Sequence, residues 1–128
     1  MDLNQVTLPV RSVPESISFY KKLGLILIVH THGRYARFML PNGNSTLSIH
    51  ESSTLNSSIG GIQLYFECED LEDKVEELID SGIEFTELPN DKPWLWKEAH
   101  LNDPDGNHLV LFRAGENRKD PPWRINSE

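Results

Sequence analysis

Asn102-Asp103-Pro104-Asp105-Gly106-Asn107 is a tight turn, and His108-Leu109-Val110-Leu111-Phe112 is the strand it feeds. Asp-Gly supplies the positive φ that a short hairpin connection needs. Ala99 to Asp103 forms the incoming strand. The same phrase occurs once before. There Ala36 to Leu40 leads into Pro41-Asn42-Gly43-Asn44, and Thr46-Leu47-Ser48-Ile49-His50 leaves it.

Beyond the hairpins, the rest of the chain is also written twice. Gln5 to Val10 alternates Val6, Leu8 and Val10 with Gln5, Thr7 and Pro9, a strand with one apolar face. Pro9 marks a sheet edge or a bulge. Ser12-Val13-Pro14-Glu15 suits a helix start, Ile17, Tyr20 and Leu23 follow at helical spacing, and Gly24 closes the helix. From Gln63, Leu64, Phe66 and Cys68 alternate with Gln63, Tyr65 and Glu67. Asp70 is then placed to cap a helix carrying Leu71, Val75, Leu78 and Ile79, and Gly82 closes it. The two stretches superpose at an offset of 58 residues: Gln5 meets Gln63, Ser12 meets Asp70, Gly24 meets Gly82 and Leu25 meets Ile83. Leu25 to Thr31 and Ile83 to Leu88 supply one more strand each.

Each half is thus a βαβββ module, about 3–51 and 62–112. The Ser- and Gly-rich stretch 52–61 reads as a linker, and 113–128 as an aperiodic tail that Trp123 pins by burying its ring. The predicted class is α+β, one domain over residues 1–128.

Composition narrows the function. The net charge of −8 argues against nucleic acid, whose phosphates need clustered Lys and Arg, and suits a cationic or neutral ligand, or simply solubility. Leu23 to Val29 is the longest apolar run, too short to span a bilayer. Cys68 is the only cysteine, so no internal disulfide can form, and with no secretory leader read at Met1 to Gln5 the expected setting is cytoplasmic.

The doubled module and the Asn102–Asn107 turn resemble the vicinal-oxygen-chelate family of glyoxalases, bleomycin-resistance proteins and extradiol dioxygenases, over residues 3 to 112. The resemblance implies two modules forming a curved, cup-shaped mixed sheet with helices outside, a ligand or metal inside, and a homodimer. It also implies metal ligands at the first strand and the last strand of each module. Those positions hold Gln5, Ser48 (or Leu47), Gln63 and Val110. Amide and hydroxyl oxygens bind divalent transition metals weakly, and valine binds none. The expectation is therefore no metal, no cofactor, and a small organic ligand bound as in the bleomycin-resistance proteins.

Strand parity then selects the ligand-binding candidates: Gln5, Thr7, Ser48, His50, Gln63, Tyr65, His108 and Val110, with Glu67, Phe112, Glu98, His100 and Asn102 on the same faces. Trp94 and Trp96 share a parity, which offers either a stacking platform or a dimer contact. His50, His100 and His108 read as ordinary strand histidines. Alternatively, His50, His108 and Glu98 form an off-pattern divalent-metal site or an acid–base pair, and the chain is a glyoxalase- or dioxygenase-like enzyme.

Overall fold

The computed structural model describes residues 1–52 and 62–125. Residues 53–61 of the expected linker and 126–128 of the tail lie outside the described residues. The elements run β1 (Gln5–Val10), α1 (Val13–Leu23), β2 (Ile26–Thr31), β3 (Tyr35–Met39), β4 (Thr46–Glu51), β5 (Gln63–Glu67), α2 (Leu71–Asp80), β6 (Glu87–Asp91), β7 (Lys97–Asn102) and β8 (His108–Arg113). This is the α+β class, with two βαβββ modules in series. The chain divides into two compact units, Met1–Gly61 with Asp103–Asn107, and Ile62–Asn102 with His108–Glu128.

In the first unit the strand order is β1-β4-β3-β2. β1 runs parallel to β4, with Gln5 beside Thr46 and Thr7 beside Ser48, and β3 is antiparallel to both its neighbours. Pro9 sits on the edge strand of this sheet, where its missing N–H costs no ladder bond. α1 starts where expected: the Ser12 hydroxyl accepts the Glu15 N–H at 3.3 Å, and Pro14 occupies the first turn. Val13, Ser16, Tyr20 and Leu23 form its buried side. The Tyr20 ring lies 5.7 Å from that of Phe38, so the even-numbered face of β3 is the one beneath the helix.

The second unit repeats this plan, with order β5-β8-β7-β6 and β5 parallel to β8. α2 buries Leu71, Val75 and Leu78. Asp70 stands at the N-cap position, but its side chain makes no capping bond, contrary to the expectation.

Both helices end alike, and this corrects one strand. The Gly82 N–H bonds Ile79 O at 3.0 Å and the Ile83 N–H bonds Leu78 O at 3.0 Å. That is a Schellman closure with Gly82 at φ 98°. Ile83 is consumed by the closure, buried next to the helix end, and so cannot open a strand. The strand expected at Ile83–Leu88 is found at Glu87–Asp91. In the first unit, Gly24 and Leu25 bond Lys21 O and Tyr20 O in the same way, and β2 begins one residue later than expected, at Ile26.

The tail also departs from its reading. Gly115–Arg118 forms a short 3₁₀ turn, held by Glu67, whose carboxylate accepts the Ala114 and Gly115 N–H groups at 3.2 Å. Trp123 is 57% exposed and buries no anchor. Among the described residues, no helix is long and apolar enough to cross a membrane.

Candidate functional site

A strand shows opposite faces at successive residues, so one register fixes each face of a sheet together. In the first unit Leu8, Val10, Ala36, Phe38, Leu47 and Ile49 are buried, in agreement with the helix-side parity. The opposite face carries Gln5, Thr7, Tyr35, Arg37, Thr46, Ser48 and His50. It is wired by hydrogen bonds. Gln5 Nε2 donates to Ser48 Oγ at 2.8 Å and to Thr7 Oγ1 at 3.3 Å, and Thr46 Oγ1 donates to Gln5 Oε1. Ser48 Oγ and Tyr35 OH share a bond at 2.8 Å, and Arg37 Nε donates to Tyr35 OH at 2.9 Å. The Ser48 bond and the Arg37 guanidinium hold the Tyr35 phenol below its ordinary range. His50 lies on this face at the exposed end of β4. Tyr35 and Arg37 were missed by the sequence reading. Both occupy alternate positions of an antiparallel strand beside Ser48, so extending the parity argument to β3 finds them.

The second unit has the same two-faced construction. Leu101, Leu109 and Leu111 are buried on one face. The other presents Gln63, Tyr65, Glu98, His100, His108, Val110 and Phe112. Glu98 is 2% exposed, the only Glu among the buried residues described. A buried carboxylate is tolerable only when it is paired and hydrogen-bonded. Trp94 Nε1 donates to Glu98 Oε2 at 2.7 Å, and His100 Nε2 meets Glu98 Oε1 at 2.8 Å. His100 Nδ1 in turn meets His108 Nε2 at 2.8 Å. Four side chains thus form one line. Glu87 flanks it, 3.8 Å from His100 Nε2, and is itself tied to Lys92 at 2.5 Å and to the Asn90 amide at 2.8 Å. Burial, and then the neighbouring His100, push the His108 pKa down, against the pull of Glu87 and Glu98.

The pair expected between Glu98 and His108 is therefore not direct. His100 stands between them, because Glu98 and His100 are alternate residues of β7 while His108 is paired with Asn102 on β8. His50 belongs to the other unit. Among the described residues, no three His, Cys, Asp or Glu side chains are grouped to hold a metal ion.

Trp94 and Trp96 do not share a direction. The segment between β6 and β7 is a turn, in which Leu95 takes φ 68° and the Leu95 N–H bonds Lys92 O at 3.0 Å. A residue in the left-handed region breaks the alternation on which the parity argument rests. Trp94 goes to Glu98. Trp96 stacks on Phe112 at 4.7 Å, meets Tyr65 edge-on at 5.9 Å, and donates its indole N–H to Asn117 O at 3.3 Å. Trp96 thus covers an apolar patch with Val110, Phe112 and Ala114.

The positions at which the family resemblance implies metal ligands can be tested within each unit. In the first, the Gln5 amide is spent on Ser48, Thr7 and Thr46. In the second, Gln63 Oε1 accepts the Tyr65 hydroxyl at 3.0 Å, and Val110 is wholly buried hydrocarbon. Neither pair supplies an anionic donor, and the residues do not fit a divalent transition metal.

The model of the Glyoxalase/Bleomycin resistance protein/Dioxygenase superfamily matches residues 2–111. No curated protein matches the sequence. Several solved structures are similar. A bleomycin resistance determinant encoded on the transposon Tn5 is 21% identical with a TM-score of 0.76, over 90% of this chain and 99% of that one. A bleomycin-binding protein complexed with bleomycin is 21% identical with a TM-score of 0.72, over 88% and 98%. A glyoxalase/bleomycin resistance protein/dioxygenase from Nocardioides is 21% identical with a TM-score of 0.77, over 98% and 90%. At these identities the likeness is one of fold. With the doubled module, the two mixed sheets and a family match over nearly the whole chain, the protein belongs to the Glyoxalase/Bleomycin resistance protein/Dioxygenase superfamily.

Proposed function

We propose that the chain acts as a single glyoxalase/bleomycin-resistance-like domain that binds a small organic ligand without a metal, as a homodimer in the cytoplasm. The observation that carries the metal-free part is Val110, buried hydrocarbon at a position where the family resemblance implies a metal ligand. The polar face beside it, with half-exposed Tyr65 and Trp94, has the mixture of aromatic and convergent polar groups that small-molecule sites use. The bleomycin-binding neighbour supports an organic ligand, and the charge of −8 supports a cationic one. Bleomycin is the first probe, titrated into metal-free protein and followed by tryptophan fluorescence. Saturable binding that weakens in Tyr65→Ala but survives chelator treatment is expected. A stoichiometric metal surviving dialysis, seen by elemental analysis, would overturn the metal-free reading. Light scattering at micromolar concentration is expected to give a dimer, and a monomer there removes that part of the proposal.

A second reading, an enzyme of the superfamily, is favoured by one observation, the Glu98–His100 pair at 2.8 Å, which has the arrangement of an acid–base couple. It predicts turnover of a superfamily substrate that Glu98→Gln and His100→Gln both abolish. Binding without turnover leaves the first reading standing.

A further inference from the structure

The second unit holds a line of four hydrogen-bonded side chains that no metal reading absorbs, and its proton order can be worked out. Trp94 Nε1–H is a donor only, so Glu98 Oε2 accepts. With Glu98 ionised, Oε1 accepts as well, and His100 Nε2 carries a hydrogen. A neutral His100 then has a lone pair at Nδ1. His108 Nε2 must supply the hydrogen for that contact, which leaves His108 Nδ1 with a lone pair. Among the described residues, His108 Nδ1 has no hydrogen-bond partner.

We propose that His108 Nδ1, held in its accepting form by the line Trp94–Glu98–His100–His108, is a recognition point for a protonated amine of the ligand. This deepens the small-molecule reading above and rests on it. The groups facing the two histidines are Glu98 and His100 on β7, Glu87 on β6, and Lys92 in the turn after it, two carboxylates against one ammonium. An ammonium N–H donates to the lone pair and meets a negative surrounding. A ligand carboxylate finds no donor at His108 Nδ1 and a net negative charge around it. Tyr65, two residue pairs along on β5 and on the same face, is 44% exposed and offers its ring to the remainder of a cationic ligand. The lowered pKa of His108 keeps that lone pair available at neutral pH, since protonation is opposed by burial and by His100.

The test begins without ligand. Long-range ¹H–¹⁵N spectra of labelled protein at pH 7.5 are expected to show His108 as the Nε2–H tautomer, and an Nδ1–H tautomer overturns the proposal. Benzylammonium, benzyl alcohol and benzoate are then titrated separately. Benzylammonium is expected to shift the His108 ring nitrogens and to bind about tenfold or more tightly than either analogue, as charge-assisted hydrogen bonds do. Its affinity is expected to fall about tenfold per pH unit below the His108 midpoint, because the protonated ring has no lone pair. His108→Asn, with His108→Ala as the second variant should one fail to fold, is expected to remove the preference for the ammonium. Bleomycin is run alongside as the control. If bleomycin binds while the three probes are indistinguishable, the amine site is wrong and the small-molecule reading stands. If neither bleomycin nor any probe binds, the small-molecule reading fails and takes this inference with it.

Discussion

The Tyr20 hydroxyl donates to Asp103 Oδ2 at 2.7 Å, a bond between residues 83 apart in sequence that ties the turn Asp103–Asn107 to the inner face of α1. Asp103 is 4% exposed and also accepts the N–H groups of Asp105 and Asn107 and the Asn107 amide, at 2.8 to 2.9 Å. Burial, and then the charge of Asp103, hold the Tyr20 phenol protonated far above its usual range. Tyr20→Phe removes one donor of several from a buried carboxylate. The expected cost is about 1.5–3 kcal/mol, the usual size for a bond to a charged group, read as a shift in the urea midpoint at unchanged m-value.

Val110→Glu tests the implied metal-ligand position that holds hydrocarbon instead. Val110 is fully buried against Phe112, Ala114 and Trp96, with Tyr65 and His100 as its cross-strand neighbours, so a new carboxylate would be taken out of water without a cationic partner of its own. The expected outcome is a loss of about 3–5 kcal/mol, with no gain in zinc or nickel binding by calorimetry. A folded variant that takes up metal stoichiometrically would show that this patch opens.

His108 gives stability a pH dependence whose sign is fixed. Its folded pKa is depressed, by burial first and by His100 second, while the unfolded chain takes the proton near the ordinary value of about 6.5. Above that pH both states are neutral and the group contributes nothing. As pH falls through about 6.5, the unfolded state binds the proton first and stability declines. The carboxyls of Glu72 and Glu87 are held low by their Arg and Lys partners, so the stability they contribute is lost further down, below about 4.5. Urea melts between pH 5 and 8 are expected to show a decline in the wild type that His108→Gln flattens in the window above pH 5.

Leu95 occupies the left-handed region at φ 68° in an exposed turn. A branched L-residue there is strained, whereas glycine is not. Leu95→Gly is expected to stabilise by up to about 1 kcal/mol, the relief of strain being partly offset by the greater entropy of the unfolded chain. A destabilised variant in thermal melts would mean that the leucine side chain contributes contacts outweighing its backbone cost.

Much of the fold was legible because its signals are local. Alternation in Val6, Leu8 and Val10, and the Pro-x-Gly-Asn turns, fix strand faces and hairpins without reference to distant residues. The site was legible only as far as regular alternation extends. Gln5 and Ser48 do share a face, but Trp94 and Trp96 diverge because one left-handed residue separates them. Ile83 looked like a strand residue because it is apolar and follows Gly82, yet those same features make it the last member of a helix closure. His100 could not be placed between Glu98 and His108 from spacing, since that depends on the cross-strand register of β7 against β8. Tyr20–Asp103 is a tertiary contact with no sequence signature.

The turn at Asp103–Asn107 is built by strands of the second sheet but grouped with the first unit, where Arg11 also holds Asp105 through its backbone N–H and its guanidinium. A chain cleaved between β4 and β5 would therefore yield two fragments of which neither is complete. The first would bury a phenol without its acceptor, and the second would carry a turn without its mooring.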